Sequence, residues 1–202
     1  MLTKNLDKKK VLLGLSGGVD SAAAALLLKG QGFEVTGYYF DILGDKKDYA
    51  EVDRLAGQLG IDLIKEDVSD IFSEIVIDNF CREYISGHTP NPCIICNPSV
   101  KFKKLIENAD RIGAYHIATG HYCRIKDGHI QMASNLSKDQ SYMLYRLTED
   151  TIERLIFPLG DVLSKDDIRS LAKDYNLENA EKKDSLEICF VNENDNYADY
   201  LE

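Results

Sequence analysis

Apolar positions along the chain fall into short runs separated by longer amphipathic stretches, and the two periods alternate through the first two-thirds of the sequence. Val11 to Leu15 reads as a buried strand, and Ala22 to Lys29 (AAAALLLK) as a helix with no breaker. Glu34 to Phe40 predicts a second strand, and Tyr49 to Leu59 an amphipathic helix stopped by Gly60. Ile61 to Lys65 follows as a third strand. Helices are expected over Ile71 to Ile85, stopped by Gly87, and Val100 to Ile112, stopped by Gly113. Tyr115 to Gly120 (YHIATG) is a fourth strand. Such alternation predicts right-handed crossovers and an α/β fold, mainly a parallel sheet with helices on both faces. Ligands in such sheets gather at the carboxyl ends of the strands.

Beyond Gly120 the pattern changes. Tyr122 to Ala133 carries a central Asp127-Gly128, the signature of a tight hairpin. Ser141 to Leu147, Thr151 to Leu155 and Lys165 to Tyr175 read as helical, with Pro158 to Gly160 as a break. Ile188 to Val191 reads as a short late strand, and Asn192 to Glu202 as the beginning of a further element.

Composition narrows the class. At 202 residues, 44% hydrophobic and 29% charged, the chain suits one domain with a sizeable core. No apolar signal region or run of eighteen apolar residues occurs, so a cytoplasmic protein with no membrane partner is expected. The net charge of −10 disfavours unaided binding to a nucleic-acid backbone, although a local basic patch or another module can supply it. Five cysteines without a secretory signal point to reactive or metal-binding thiols rather than a disulfide scaffold.

The chemistry concentrates first at Leu15 to Ser21, LSGGVDS, a glycine-rich turn between a strand and a helix. Ser16, Gly17 and Gly18 can present successive backbone N–H groups to a phosphate at the positive end of a helix. No Lys follows as a GxxxxGKS/T loop requires, and GxGxxG is absent. A second concentration is Cys93-x-x-Cys96 within GHTPNPCIICNP, whose three prolines predict an extended, exposed path instead of regular helix. A CxxC pair serves as a redox couple, half of a zinc site or two ligands of an iron–sulfur cluster. Cys189, at the start of the late strand, can complete a three-cysteine site. Cys81 and Cys123 read as packing residues.

SGGVDS resembles the pyrophosphate-binding PP-loop of enzymes that cleave ATP between its α and β phosphates and adenylate a substrate oxygen. The resemblance extends to the tRNA-specific 2-thiouridylase family through seven ordered blocks. They are GLSGGVDS (Gly14 to Ser21), EYISGHTPNPCIICN (Glu83 to Asn97), VKF (Val100 to Phe102) and ATGHY (Ala118 to Tyr122). KDQSYML (Lys138 to Leu144), FPLG (Phe157 to Gly160) and KKDSLEICFV (Lys182 to Val191) complete the set.

That resemblance implies a Rossmann-like PP-loop fold of the adenine nucleotide alpha hydrolase type. It implies ATP with Mg2+ on Gly14, Leu15, Ser16, Gly17, Gly18, Val19, Asp20 and Ser21, with Phe40 beside the adenine and Gly120 touching the nucleotide. Asp20 is expected to take part in ATP use. Cys96 matches the nucleophile and Cys189 the persulfide-bearing cysteine, both as low-pKa thiolates. Lys138, Asp139 and Gln140 match a segment that touches tRNA, or alternatively cap a helix start. A sulfur donor or relay protein is the implied partner.

Two departures alter the expectation. Cys93 stands where the family pattern has Asp, so Cys93, Cys96 and Cys189 together look like the ligand set of a 4Fe-4S cluster with one open iron, which is the favoured reading over a persulfide–disulfide pair. Pro98 follows Cys-Asn where another residue is usual, which alters the loop path. The chain is further expected to be a single catalytic domain over residues 1–202, without the family's central and β-barrel domains. The alternatives are a sulfur-transfer enzyme acting on a smaller nucleotide or base, and a nucleotide or iron–sulfur binding module without turnover.

Overall fold

The computed structural model describes residues 6–182 and 188–191. Five parallel strands form one sheet: β1 (Asp7–Gly14), β2 (Glu34–Asp41), β3 (Asp62–Asp67), β4 (Ala114–Thr119) and β7 (Leu155–Ile156), in the order β3-β2-β1-β4-β7. Two short antiparallel strands, β5 (Cys123–Lys126) and β6 (His129–Met132), form the expected hairpin. Its turn residues Asp127 and Gly128 both adopt positive φ, 52° and 74°, the twist that closes a two-residue loop. The order reverses between β1 and β4. Connections leave these neighbours in opposite directions along the sheet, which opens a crevice at their carboxyl ends.

Helix α1 (Val19–Gly30) runs behind β1, with Ala22 to Ala25 and Leu28 fully buried against the sheet. Small side chains let the helix lie close, and they join Val11, Leu13, Leu55 and Ile168 in one core. The other face is filled by Leu12, Tyr38, Phe102, Leu105 and Ile117. Helix α2 (Tyr49–Leu59) ends at Gly60 and helix α6 (Phe102–Ile112) at Gly113, both glycines in the left-handed conformation, as their positions in the sequence required.

Several expectations need correction. The proline-bearing loop is helical from Pro92: α5 (Pro92–Cys96) passes through a π turn (Asn97–Lys101) directly into α6. Pro92 sits where no N–H is needed, and the Asn91 side chain accepts from the Cys93 N–H at 3.1 Å, so the proline starts the helix instead of preventing it. Pro98 has no N–H for the regular ladder, and the chain relieves this with the wider turn, closed by the Phe102 N–H on the Asn97 carbonyl. The helix before it is likewise interrupted, running as α3 (Ser69–Phe72), a π turn (Ser73–Ile77) and α4 (Asp78–Ile85). Ser141 to Leu147 is no α-helix; only Ser141–Met143 forms a short 3-10 turn, because Asp139 and Asn97 hold its ends in other directions. Leu155, expected as the last residue of a helix, instead leaves α7 (Glu149–Arg154) and with Ile156 pairs with β4. Ile188 to Val191 is a turn closed by the Val191 N–H on Ile188, since Phe190 and Val191 are both buried in one cluster and cannot alternate as a strand would. Residues Asn192 to Glu202 lie outside the described residues.

A Cβ on Gly160 would stand 2.2 Å from the Cys123 carbonyl oxygen and 3.0 Å from its carbon. This contact ties the break before α8 (Lys165–Asp174) to the hairpin. Gly160→Ala is therefore expected to lower stability by about 1–3 kcal/mol, read as a drop in the urea midpoint, whereas Gly128→Ala meets open space and pays only for its positive φ.

Candidate functional site

The turn after β1 is built from its own serines. Leu15 donates to the Tyr38 carbonyl at 2.9 Å, extending the ladder one residue past Gly14. The Ser16 N–H donates to Ser21 Oγ (3.1 Å), and Ser21 Oγ donates to the Gly18 carbonyl (3.0 Å), folding the loop over the first turn of α1. Gly17 takes φ of 79°, and Asn179 Nδ2 donates to its carbonyl at 3.0 Å. A trans peptide points its C=O and N–H oppositely, so this grip turns the Gly18 N–H outward, where it makes only a long 3.4 Å bond to Ser16 Oγ. Val19 is buried beneath the loop.

Gly120 closes the crevice from the β4 side. A Cβ there would lie 3.0 Å from the Ser21 nitrogen and 3.1 Å from the Asp20 carbonyl carbon, leaving glycine as the residue that fits without displacing backbone. Phe40 stands on the β2 side, its ring edge 3.4 Å from where a Gly14 Cβ would be, and packs edge-on against Tyr38 at 4.5 Å. Gly14 to Ser21, Phe40 and Gly120 are thus assembled at one sheet end, as the sequence led one to expect.

Asp20 Oδ1 accepts from the Tyr122 hydroxyl at 2.7 Å and pairs with Lys165 Nζ at 2.5 Å. Only 12% of the Lys165 side chain is exposed, so the pair is shielded from solvent. Lys165 went unnoticed in the sequence, where it is simply the first helical residue after the Ser164 cap. Behind Gly17, Lys182 pairs with Glu51 and Arg54 with Glu178 around a cavity of about 300 Å³.

The second half of the site is the cysteine cluster. Phe190 inserts between Phe72 (5.7 Å) and Phe80 (5.3 Å), both edge-on, and carries Cys189 to the helix bearing Cys96. Cys189 is exposed as a residue, yet the protein atoms crowded around its sulfur push the thiol up to about 11, the nearby Lys101 ammonium opposes this, and Cys96 and Cys93 reinforce it. Burial raises Cys96 also, countered by the Lys101 charge and by a hydrogen bond from the Lys101 backbone. Both thiols are therefore raised, against the expectation of resident low-pKa thiolates, and Lys101 is the group that pulls them down. Lys101 lay in the VKF block without a role assigned.

Cys93, Cys96 and Cys189 do not assemble the expected cluster cradle. Among the described residues, no three His, Cys, Asp or Glu side chains converge to hold a metal ion. Cys93 and Cys96 lie on the short helix α5 and Cys189 on a separate turn, and as placed the three thiols lend no support to a 4Fe-4S cluster. Cys123 is fully buried and raised by desolvation, and Cys81 packs against the cluster of Phe72, Phe80 and Phe190, the packing roles read from the sequence.

His121, buried with 9% of its surface exposed, lies between the two halves. Its Nδ1 pairs with Thr119 Oγ1 at 2.7 Å, and desolvation followed by the Lys101 charge holds it well below the usual imidazole range. Asp139 and Gln140 are spent internally: Asp139 accepts from the Ala133 N–H (2.8 Å) and Ser141 Oγ (2.8 Å), and Gln140 exchanges bonds with the Tyr122 backbone. Only Lys138 of that trio has a charge suited to a nucleic-acid backbone.

The comparisons with known proteins decide the family. Residues 9–193 match the family model described as the tRNA methyl transferase HUP domain. The chain belongs to that family. Its relatives include the tRNA-specific 2-thiouridylase of Clostridium acetobutylicum, 43% identical over 93% of this chain and 57% of that protein. Those of Clostridium perfringens and Syntrophotalea carbinolica are each 44% identical, over 97% and 96% of the chain and 59% and 58% of the relatives. The chain thus spans less than three-fifths of the length of these family members. Among solved structures, NMN synthetase from Francisella tularensis superposes with a TM-score of 0.55 at 18% identity, covering 89% of this chain and 67% of that one, a likeness of fold. Among the described residues, no helix is long and apolar enough to cross a membrane.

Two outcomes follow. Replacing Lys101 with Met removes the cation facing the thiols, and iodoacetamide alkylation of Cys189 at pH 8 should slow by roughly threefold or more, followed by mass spectrometry across a pH series. Because the folded state keeps His121 neutral while the unfolded chain protonates it near pH ~6.5, stability should fall as pH drops below that value, by up to about 1.4 kcal/mol per unit. Urea titrations of wild type against His121→Asn should show this part of the slope lost in the variant.

Proposed function

We propose that the chain is the catalytic domain of an ATP-dependent tRNA uridine 2-sulfurtransferase, working through an adenylated uridine and a cysteine persulfide. The observation that carries this reading is the Phe40 ring, which lies against Gly14 and packs on the cluster that holds Phe190 and Cys96, so that the two halves meet at one place. A nucleotide turn and a thiol pair at one sheet end suit chemistry in which activation and sulfur delivery meet at a single carbon.

In this reading the outward Gly18 amide and the positive end of α1 hold the phosphates of ATP, the Ser16 N–H being engaged by Ser21 Oγ, and Asn179 keeps the Gly18 amide aimed. The Asp20 carboxylate is a hard oxygen donor beside the phosphates, which fits a Mg2+ ion held mainly by phosphate oxygens. Lys165 and Tyr122 fix its orientation. The uridine O2 attacks the α-phosphorus and pyrophosphate leaves, so that the oxygen departs later as part of AMP. The terminal sulfur of a Cys189 persulfide, supplied by a relay protein, then attacks C2. Cys96 attacks Cys189 Sγ, the thiolated base takes the outer sulfur with its bonding pair, and Cys96–Cys189 remain as a disulfide. Lys101 stabilises the thiolate at each step.

With a net charge of −10, a grip on tRNA needs cations gathered locally or supplied by another domain or subunit. The test is thiolation of unmodified tRNA by the chain, with ATP and a persulfide donor, followed by chromatography of the nucleosides. Cys96→Ser and Cys189→Ser are each expected to lower product by at least about a hundredfold, while Cys81→Ser stays near wild type. Pyrophosphate release should persist in both inactive variants and weaken in Asp20→Ala. Full thiolation by Cys189→Ser sinks the mechanism, and thiolation of free uridine nucleotides in preference to tRNA replaces the substrate.

A further inference from the structure

The mechanism above leaves Cys93 idle, and it ends in a Cys96–Cys189 disulfide that joins the CxxC helix to a separate turn. We infer that Cys93 is a resolving thiol that takes over this disulfide and frees Cys189, a proposal that rests on the sulfurtransferase reading. The placement of Cys93 supports it. Asn91 caps the helix through the Cys93 N–H, Pro92 occupies the first helical position, and Cys93 and Cys96 follow three residues apart on continuous helix. That spacing sets their Cα atoms about 5 Å apart on one face, inside the range a disulfide spans. Their Cβ atoms stand about 5–6 Å apart on a regular helix, a little beyond the separation of about 3.5–4.5 Å in a disulfide, so the first turn of this five-residue helix has to tighten for the bond to close. Cys189, by contrast, is held on its own turn by Phe190 between Phe72 and Phe80.

The exchange needs no outside oxidant or reductant. The Cys93 thiolate attacks Cys96 Sγ, the Cys93–Cys96 bond forms as the Cys96–Cys189 bond breaks, and Cys189 leaves with the electron pair and takes up the proton that Cys93 gave to solvent. Lys101 faces the cluster and receives the charge on the departing sulfur. Cys189 is then free to accept the next sulfur, while a dithiol reductant meets a compact CxxC disulfide on a partly exposed helix end.

The exchange can be read without ATP or tRNA. The chain, reduced and then treated with one equivalent of diamide, is quenched in acid, alkylated with N-ethylmaleimide and digested with trypsin. Wild type is expected to show the Cys93–Cys96 bridge in roughly fivefold or greater excess over Cys96–Cys189, with Cys189 alkylated. Cys93→Ser should collect the Cys96–Cys189 bridge instead. Wild type that keeps Cys96–Cys189 with Cys93 alkylated overturns the inference, and so does a Cys93→Ser chain that forms no bridge at all. A chain that shows the expected map yet thiolates nothing would instead remove the function proposed above, so the two failures are told apart.

Discussion

The structure turns on how closely β4 approaches the start of α1. Gly120 presses its α-carbon face against the Asp20–Ser21 backbone, and a single methyl group there would meet main-chain atoms at about 3 Å. The reversal of strand order between β1 and β4 opens the crevice; this contact sets its width. Everything polar nearby then has a fixed reference. Tyr122, two residues on, reaches Asp20, Lys165 arrives from α8 to meet the same oxygen, and His121 is sealed into the interior beside Thr119.

The thiol half is held by a different force. No hydrogen-bonded ladder carries Cys189 to Cys96; three edge-on aromatic rings do, with Phe190 at their centre. Phe40 belongs to this cluster and also lies against Gly14, so one ring touches both the thiol half and the nucleotide turn. Apolar packing places the sulfurs, and the Lys101 ammonium then tunes them. In a chain with a net charge of −10, Lys165 and Lys182 at this sheet end are each matched by a carboxylate, Asp20 and Glu51.

Much of this arrangement was legible before any coordinates. The strand and helix periods gave the parallel sheet, Gly60, Gly113 and Asp127-Gly128 marked their turns, and LSGGVDS marked the tight turn from β1 into α1. Where the reading failed, the causes are local. Proline in GHTPNPCIICNP was taken as a barrier to helix, but its meaning depends on whether the missing N–H was needed: at Pro92 it was not, and at Pro98 a wider turn absorbed the loss. Leu155-Ile156 and Ile188 to Val191 are too short for periodicity to separate strand, helix and turn, so tertiary partners decided each. Lys101 and Lys165 carry no local signal at all, because a lysine on a helix is ordinary until the fold shows what it faces.

The π turn at Pro98 has a consequence for how the two ends of that long helix can vary. A π turn holds one residue more than a regular turn, so the helix beyond it is rotated by roughly 100° relative to an unbroken one. The face of α5 that displays the thiols is thereby out of phase with the face of α6 that is buried under β4. The two faces belong to one rod but not to one stripe. Drift in the hydrophobic residues that anchor α6 is uncoupled from the sulfur chemistry, while loss or gain of a single residue near Pro98 would turn Cys93 and Cys96 away from Cys189 without disturbing the core.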